Sequence, residues 1–118
     1  MKISEIKDIL DAEVICGNEF LDRDTNSAFG SDLMSDVLAF AKEQSVLITG
    51  LVNPQAIRTA LMLDMPCVVF VRAKKLTKEI ISLAKESGMV VLSTELRMFE
   101  TCGKLYAKGL KGSGEIDG

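Results

Sequence analysis

VLITGLVNPQAIRTALMLDMPCVVFV, residues 46–71, joins two unbroken apolar runs through a turn and a capped helical pattern. VLIT and CVVFV have no polar alternation, so each reads as a strand buried on both faces. Between them, Asn53 is a good N-cap, and Pro54 falls at the first helical position, where its missing N–H costs nothing. Downstream, Thr77 caps KEIISLAKES, Gly88 stops it, and VVLS from Val90 is another apolar run. Val46, Val68 and Val90 therefore begin equivalent strands 22 residues apart, each followed by a helix. Strands of this kind alternating with amphipathic helices predict parallel neighbours with right-handed crossovers.

Nearer the N-terminus, Ile3, Ile6, Ile9 and Leu10 have helical spacing, and Glu13 to Cys16 reads as a short strand ending at Gly17. Residues 18–28 are polar and turn-rich and read as a loop, with room for one short irregular strand. A helix is expected from Ser31 to about Lys42, with Leu33, Val37, Leu38 and Ala41 inward and Met34 and Phe40 to the side. Ser93 or Thr94 would cap a last helix running to Gly109. KGSGEIDG, residues 111–118, is Gly-rich and apolar-poor and is expected to be a flexible tail on a domain of residues 1–110. The predicted fold class is α/β: a single three-layer domain with a mostly parallel sheet of about four strands and helices on both faces.

Composition narrows the function. A chain of 118 residues allows one domain that buries roughly two-thirds of its unfolded surface, enough for a core without staples. With no Trp, one Tyr and five Phe, that core must be mostly aliphatic. Net charge −3 argues against nucleic acid as the partner, since phosphate neutralisation needs a basic surface. No stretch approaches the roughly 18 apolar residues of a membrane span, and the N-terminus lacks a signal-type apolar run; a cytoplasmic location is expected. Cys16, Cys67 and Cys102 lie far apart, no CxxC occurs and His is absent, so no metal site is expected and the thiols read as small buried hydrophobes. There is no GxxxxGK[ST], GxGxxG or GxSxG. Without His the commonest general base is missing. Asp32 and Asp36, one turn apart, read as a solvent-facing pair. No catalytic residue and no cofactor is assigned, and the chain is not expected to be an enzyme.

In parallel α/β sheets, ligands bind beyond the carboxyl ends of the strands, where helix N-termini favour anions. That edge collects Gly50, Asn53, Arg72 and Thr94, the predicted ligand-binding residues. RAKKLTK, residues 72–78, adds further cations there. The expected ligand is a small anionic metabolite or nucleotide. The plain alternatives are a strand-to-helix turn at Gly50, a solvated cationic loop at 72–78 and a cap at Thr94. Phe20, Phe29, Met34 and Phe40 could instead form a face for a protein partner, and the thick apolar stretch ALMLDM from Ala60 could hold a second copy.

ISEIKDILDAEVICG (3–17), the run from Phe29 to Lys75, and IISLAKESGMVVLSTELRMFETCGKLY (80–106) together resemble the DRTGG domain family. By the same pattern the chain is similar to the N-terminal domain of HPr kinase/phosphorylases. Thr49-Gly50 falls on the Thr-Gly part of the name-giving motif, Leu51 stands where a second Gly would fall, and the preceding Asp-Arg pair is absent. The resemblance implies an α/β fold without kinase activity, because the P-loop of those kinases lies in another domain. It also implies an accessory role, as in pyrophosphatases, where the domain sits between CBS domains, and in long phosphotransacetylases. Two functions follow as expectations: a homodimeric ligand-sensing regulatory domain, or an assembly module without ligand, serving a redox enzyme such as an iron hydrogenase.

Overall fold

The computed structural model describes residues 1–72 and 75–112. Among these residues the elements run α1 (Ile3–Leu10), β1 (Glu13–Cys16), a single 3-10 turn (Asn18–Phe20), β2 (Ser27–Gly30), α2 (Met34–Phe40), β3 (Ser45–Thr49), α3 (Pro54–Met62), β4 (Cys67–Phe70), α4 (Lys78–Glu86), β5 (Val90–Ser93), α5 (Met98–Ala107) and β6 (Lys111–Gly112). The strands form one sheet in the order β1-β5-β4-β3-β2-β6.

The strands at Val46, Cys67 and Val90 are mutually parallel, as their apolar runs require. The sheet is mostly parallel but has six strands, not about four. β1 closes one edge antiparallel to β5, β2 pairs parallel with β3, and β6 pairs parallel with β2. β2 begins in the stretch that reads as loop with room for one short irregular strand, since SAFG is short and opens on Ser27; its Ser27 hydroxyl meets the buried Ser45 hydroxyl at 2.7 Å. Lys111 and Gly112 pair with Ser27 and Ala28, so the sheet includes two residues of the expected tail. The rest of the expected tail, 113–118, lies outside the described residues.

The 22-residue spacing is not the register. Val46 pairs with Cys67, and Cys67 with Val90, so Val68 stands one place further along its strand. Because side chains alternate faces along a strand, Val46, Cys67 and Val90 enter one core with Ile48, Val69 and Leu92, covered by Ile3, Ile6, Leu10 and Leu105 of α1 and α5. Val68 enters the other core with Leu47, Phe70 and Val91, covered by Met34, Val37, Ala56, Ile57, Ala60, Ile80 and Ala84 of α2, α3 and α4. The three helices that link β2 through β5 thus share one face, as successive crossovers of one hand demand.

α2 departs from expectation in length and phase. It runs only from Met34 to Phe40, and it buries Met34 and Val37. Leu33 and Leu38, expected inside, are exposed, as is Phe40. The Ser31 hydroxyl accepts the Leu33 N–H at 3.0 Å, which holds residues 31–33 out of the helix and turns its first apolar position from Leu33 to Met34. The expected partner face of Phe20, Phe29, Met34 and Phe40 is therefore not one surface: Met34 is core, and Phe20 and Phe29 are half-buried against opposite cores. At the last helix, Arg97 takes the N-cap position, not Ser93 or Thr94.

Candidate functional site at the carboxyl edge of the sheet

β3 ends at Thr49, and Gly50 turns the chain away from the sheet. The Gly50 N–H donates to Asp32 Oδ1 at 2.6 Å, and the Thr49 hydroxyl donates to the same oxygen at 3.1 Å. Thr49 Oγ1 in turn accepts the Leu51 N–H at 3.1 Å. Asp32 comes from the segment after β2, so one carboxylate ties the ends of β2 and β3 together. Asp32 is exposed, as expected, but it is bound on the sheet edge rather than standing free in solvent. The missing signal was β2: once SAFG is a strand beside β3, a side chain just past Gly30 must lie at this edge.

β4 delivers Arg72 to the same place. Arg72 has φ +67°, left-handed backbone that costs a residue with a Cβ roughly 1–2 kcal/mol. It is held there by its own N–H, which donates to the Leu96 carbonyl at 2.8 Å. The guanidinium lies against Gly50: a Cβ built on Gly50 would overlap it, with Cζ at 3.3 Å and Nε at 3.4 Å. Only glycine lets the cation approach this closely. Among the described residues no ion pair engages Arg72. Of the cationic loop, Lys75 is exposed, and Lys74 lies outside the described residues.

Asn53 is exposed on the rim, where its side-chain oxygen accepts the Gln55 N–H at 2.8 Å and caps α3. Thr94 is buried beneath the edge. Its hydroxyl donates to the Leu10 carbonyl at 3.0 Å and accepts the Leu96 N–H at 3.3 Å. Because the Leu96 carbonyl holds Arg72, Thr94 fixes the segment that positions the cation. Thr94→Val leaves the Leu10 carbonyl without its donor; thermal or urea unfolding should show a loss of about 1 kcal/mol. An unchanged midpoint would deny Thr94 this supporting part.

The neighbouring surface is chemically different. Beyond β5 a cleft of about 500 Å³ is lined by Asp11, Glu13 and Glu95 together with Lys75, Leu76 and Leu96. Thr94 also lines this cleft, whose three carboxylates stand opposite one lysine. At the opposite edge, a concavity holds Arg23, Gln44, Asp64 and Gly88. There Arg23 already donates to the Gly88 carbonyl at 2.7 Å and stacks 3.8 Å from the Phe20 ring centroid.

The thiols carry no sign of an activated nucleophile. Burial pushes Cys67 up strongly, with a smaller contribution from Cys16, and burial is also the leading cause of the upward shifts of Cys16 and Cys102. A reactive cysteine needs the opposite environment. Among the described residues no group of His, Cys, Asp and Glu could hold a metal ion, and no helix is long and apolar enough to cross a membrane.

The family model described as the DRTGG domain matches residues 5–107. None of the curated proteins compared with the chain matches it. A similar solved structure is described as the CBS and DRTGG domains of the regulatory region of Clostridium perfringens pyrophosphatase, complexed with the activator diadenosine tetraphosphate. The two share 20% identity with a TM-score of 0.70, over 88% of this chain and 45% of that one. The likeness is one of fold, and this chain spans a little under half of that neighbour.

Proposed function

Because the chain belongs to the DRTGG domain family, we propose that it is a non-catalytic regulatory domain that senses a small anionic metabolite or nucleotide and works as a homodimer. The observation that carries this reading is Arg72, held in left-handed backbone with its guanidinium on a glycine at the carboxyl edge. A residue with a long charged side chain adopts such a conformation at a cost, and strain of this kind collects at ligand-binding positions. The planar donor fork of arginine suits phosphate or carboxylate. Gly50 and Arg72 contact the ligand, Asn53 forms its rim, and Thr94 supports the segment behind Arg72. The neighbour of similar fold, a regulatory region complexed with a nucleotide activator, suggests which compounds to try first.

The test is a thermal-shift screen with diadenosine tetraphosphate, mononucleotides and inorganic polyphosphates. A ligand at 100 times its Kd stabilises the fold by about 2.7 kcal/mol, on the order of ten degrees for a domain of this size. A flat response across anionic compounds, with the protein folded, would set the reading aside. The alternative, an assembly module without ligand, draws on Phe99 and Tyr106, which stand 84% and 67% exposed on α5. Exposed aromatics are enriched in protein interfaces. Light scattering bears on the homodimer directly: a monomer at about 50 µM, well above the Kd of a stable pair, would refute it.

A further inference from the structure

The donors that would receive an anion are already in use. The Gly50 N–H and the Thr49 hydroxyl both point to one oxygen of Asp32, at 2.6 and 3.1 Å. These are the backbone and hydroxyl donors at the end of β3, beside the Arg72 guanidinium. The carboxylate is exposed, and it comes from residues 31–33, which lie outside α2. It is thus an anion of the chain itself, tethered by a short segment, seated where the anion of a ligand would sit.

We infer that Asp32 is an internal competitor that closes this site, so that an anionic ligand binds by displacing its carboxylate from the Thr49 and Gly50 donors. The inference rests on the regulatory reading above and adds how its site is gated. Two physical consequences follow. A ligand must break two hydrogen bonds to a charged acceptor before it makes its own. If Asp32 stays close, its charge also repels the incoming anion. Both penalties fall most heavily on a weak, singly charged ligand such as a small carboxylate. They are overcome by a group carrying several negative oxygens that can take the Gly50 N–H and reach Arg72 together. The site therefore selects polyphosphate-type anions over monocarboxylates. Displacement also removes the side-chain bridge between the ends of β2 and β3, and leaves the Ser31 N–H to Ile48 carbonyl bond at 3.0 Å as the tie ahead of α2, where Leu33 and Phe40 are exposed.

The experiment compares the full chain with Asp32→Asn and Asp32→Ala, using inorganic triphosphate as the probe and calorimetry as the readout. The Gly50 amide resonance is followed in parallel in 15N-labelled protein. Asn keeps the shape and an acceptor oxygen while removing the charge, so it remains informative should Ala loosen the fold. Both variants should bind triphosphate more tightly than the unmodified chain, by a factor on the order of 5 to 100, the usual range for coupled sites. The Gly50 amide should shift on binding in all three proteins, and it should already be displaced in Asp32→Ala before any ligand is added. Equal or weaker binding by the variants, with the unmodified chain still binding, overturns the competitor role and leaves the regulatory reading intact. Absence of binding by all three folded proteins removes the gate and the anion site together.

Discussion

Phe70→Ala should lower the unfolding free energy by about 3–5 kcal/mol, the usual loss for a buried aromatic truncated in a core that cannot collapse around it. Phe70 is fully buried on β4, between β3 and β5, and it is the largest of the fully buried side chains. It packs in the core beneath α2, α3 and α4. Domains of this size are typically stable by only about 5–15 kcal/mol, so the variant should stand near the edge of folding. Urea titration reads the result as a lower midpoint with an unchanged slope. A loss below about 1 kcal/mol would mean that the centre of the sheet is not packed as described.

Phe70 also shows why this much of the fold was legible. Its strand, with β3 and β5, is written as unbroken apolar residues followed by Asn53 and Thr77 caps, and each local signal agrees with the others. The edges carry weaker text. Ser27–Gly30 and Lys111–Gly112 are short, have few apolar residues and take their strand character from pairing with β3 and with one another. The phase of α2 depended on one hydroxyl, Ser31, that delays the helix by a turn's beginning. At the site, the carboxyl-edge rule brought Gly50 and Arg72 together correctly, since the ends of adjacent parallel strands are adjacent. It placed Thr94 at the edge, but sequence does not say which side chains at an edge turn inward, and this one is spent on the Leu10 carbonyl. Asp32 read as one of a solvent-facing pair with Asp36, because the short strand that carries it to the edge was allowed for but not placed.

Arg72→Ala should cost a bound polyphosphate about 2 kcal/mol, roughly 30-fold in Kd, for a lost charge-assisted contact. The fold should hardly notice. The side chain is exposed, it makes no ion pair among the described residues, and Ala bears the same left-handed strain as Arg. Arg72→Gly separates the two effects further. Glycine accepts φ +67° without penalty, so this variant should lose the same affinity while gaining up to about 1 kcal/mol of stability. Asp11, Gln44 and Asp64 share the left-handed backbone, so it is the loss of affinity, not the gain of stability, that marks Arg72 as a binding residue. Calorimetric titration with triphosphate, alongside urea unfolding of the three proteins, checks both halves. Unchanged affinity in Arg72→Ala would place the anion elsewhere.

Amide shift mapping shows whether the ligand sits at the carboxyl edge. The 15N-labelled chain is titrated with diadenosine tetraphosphate and with inorganic triphosphate. The largest shifts are expected at Asp32, Thr49, Gly50, Leu51 and Arg72, in the same order of magnitude for both compounds. Shifts clustered instead around Arg23, Gln44 and Gly88, at the opposite edge, would contradict that placement.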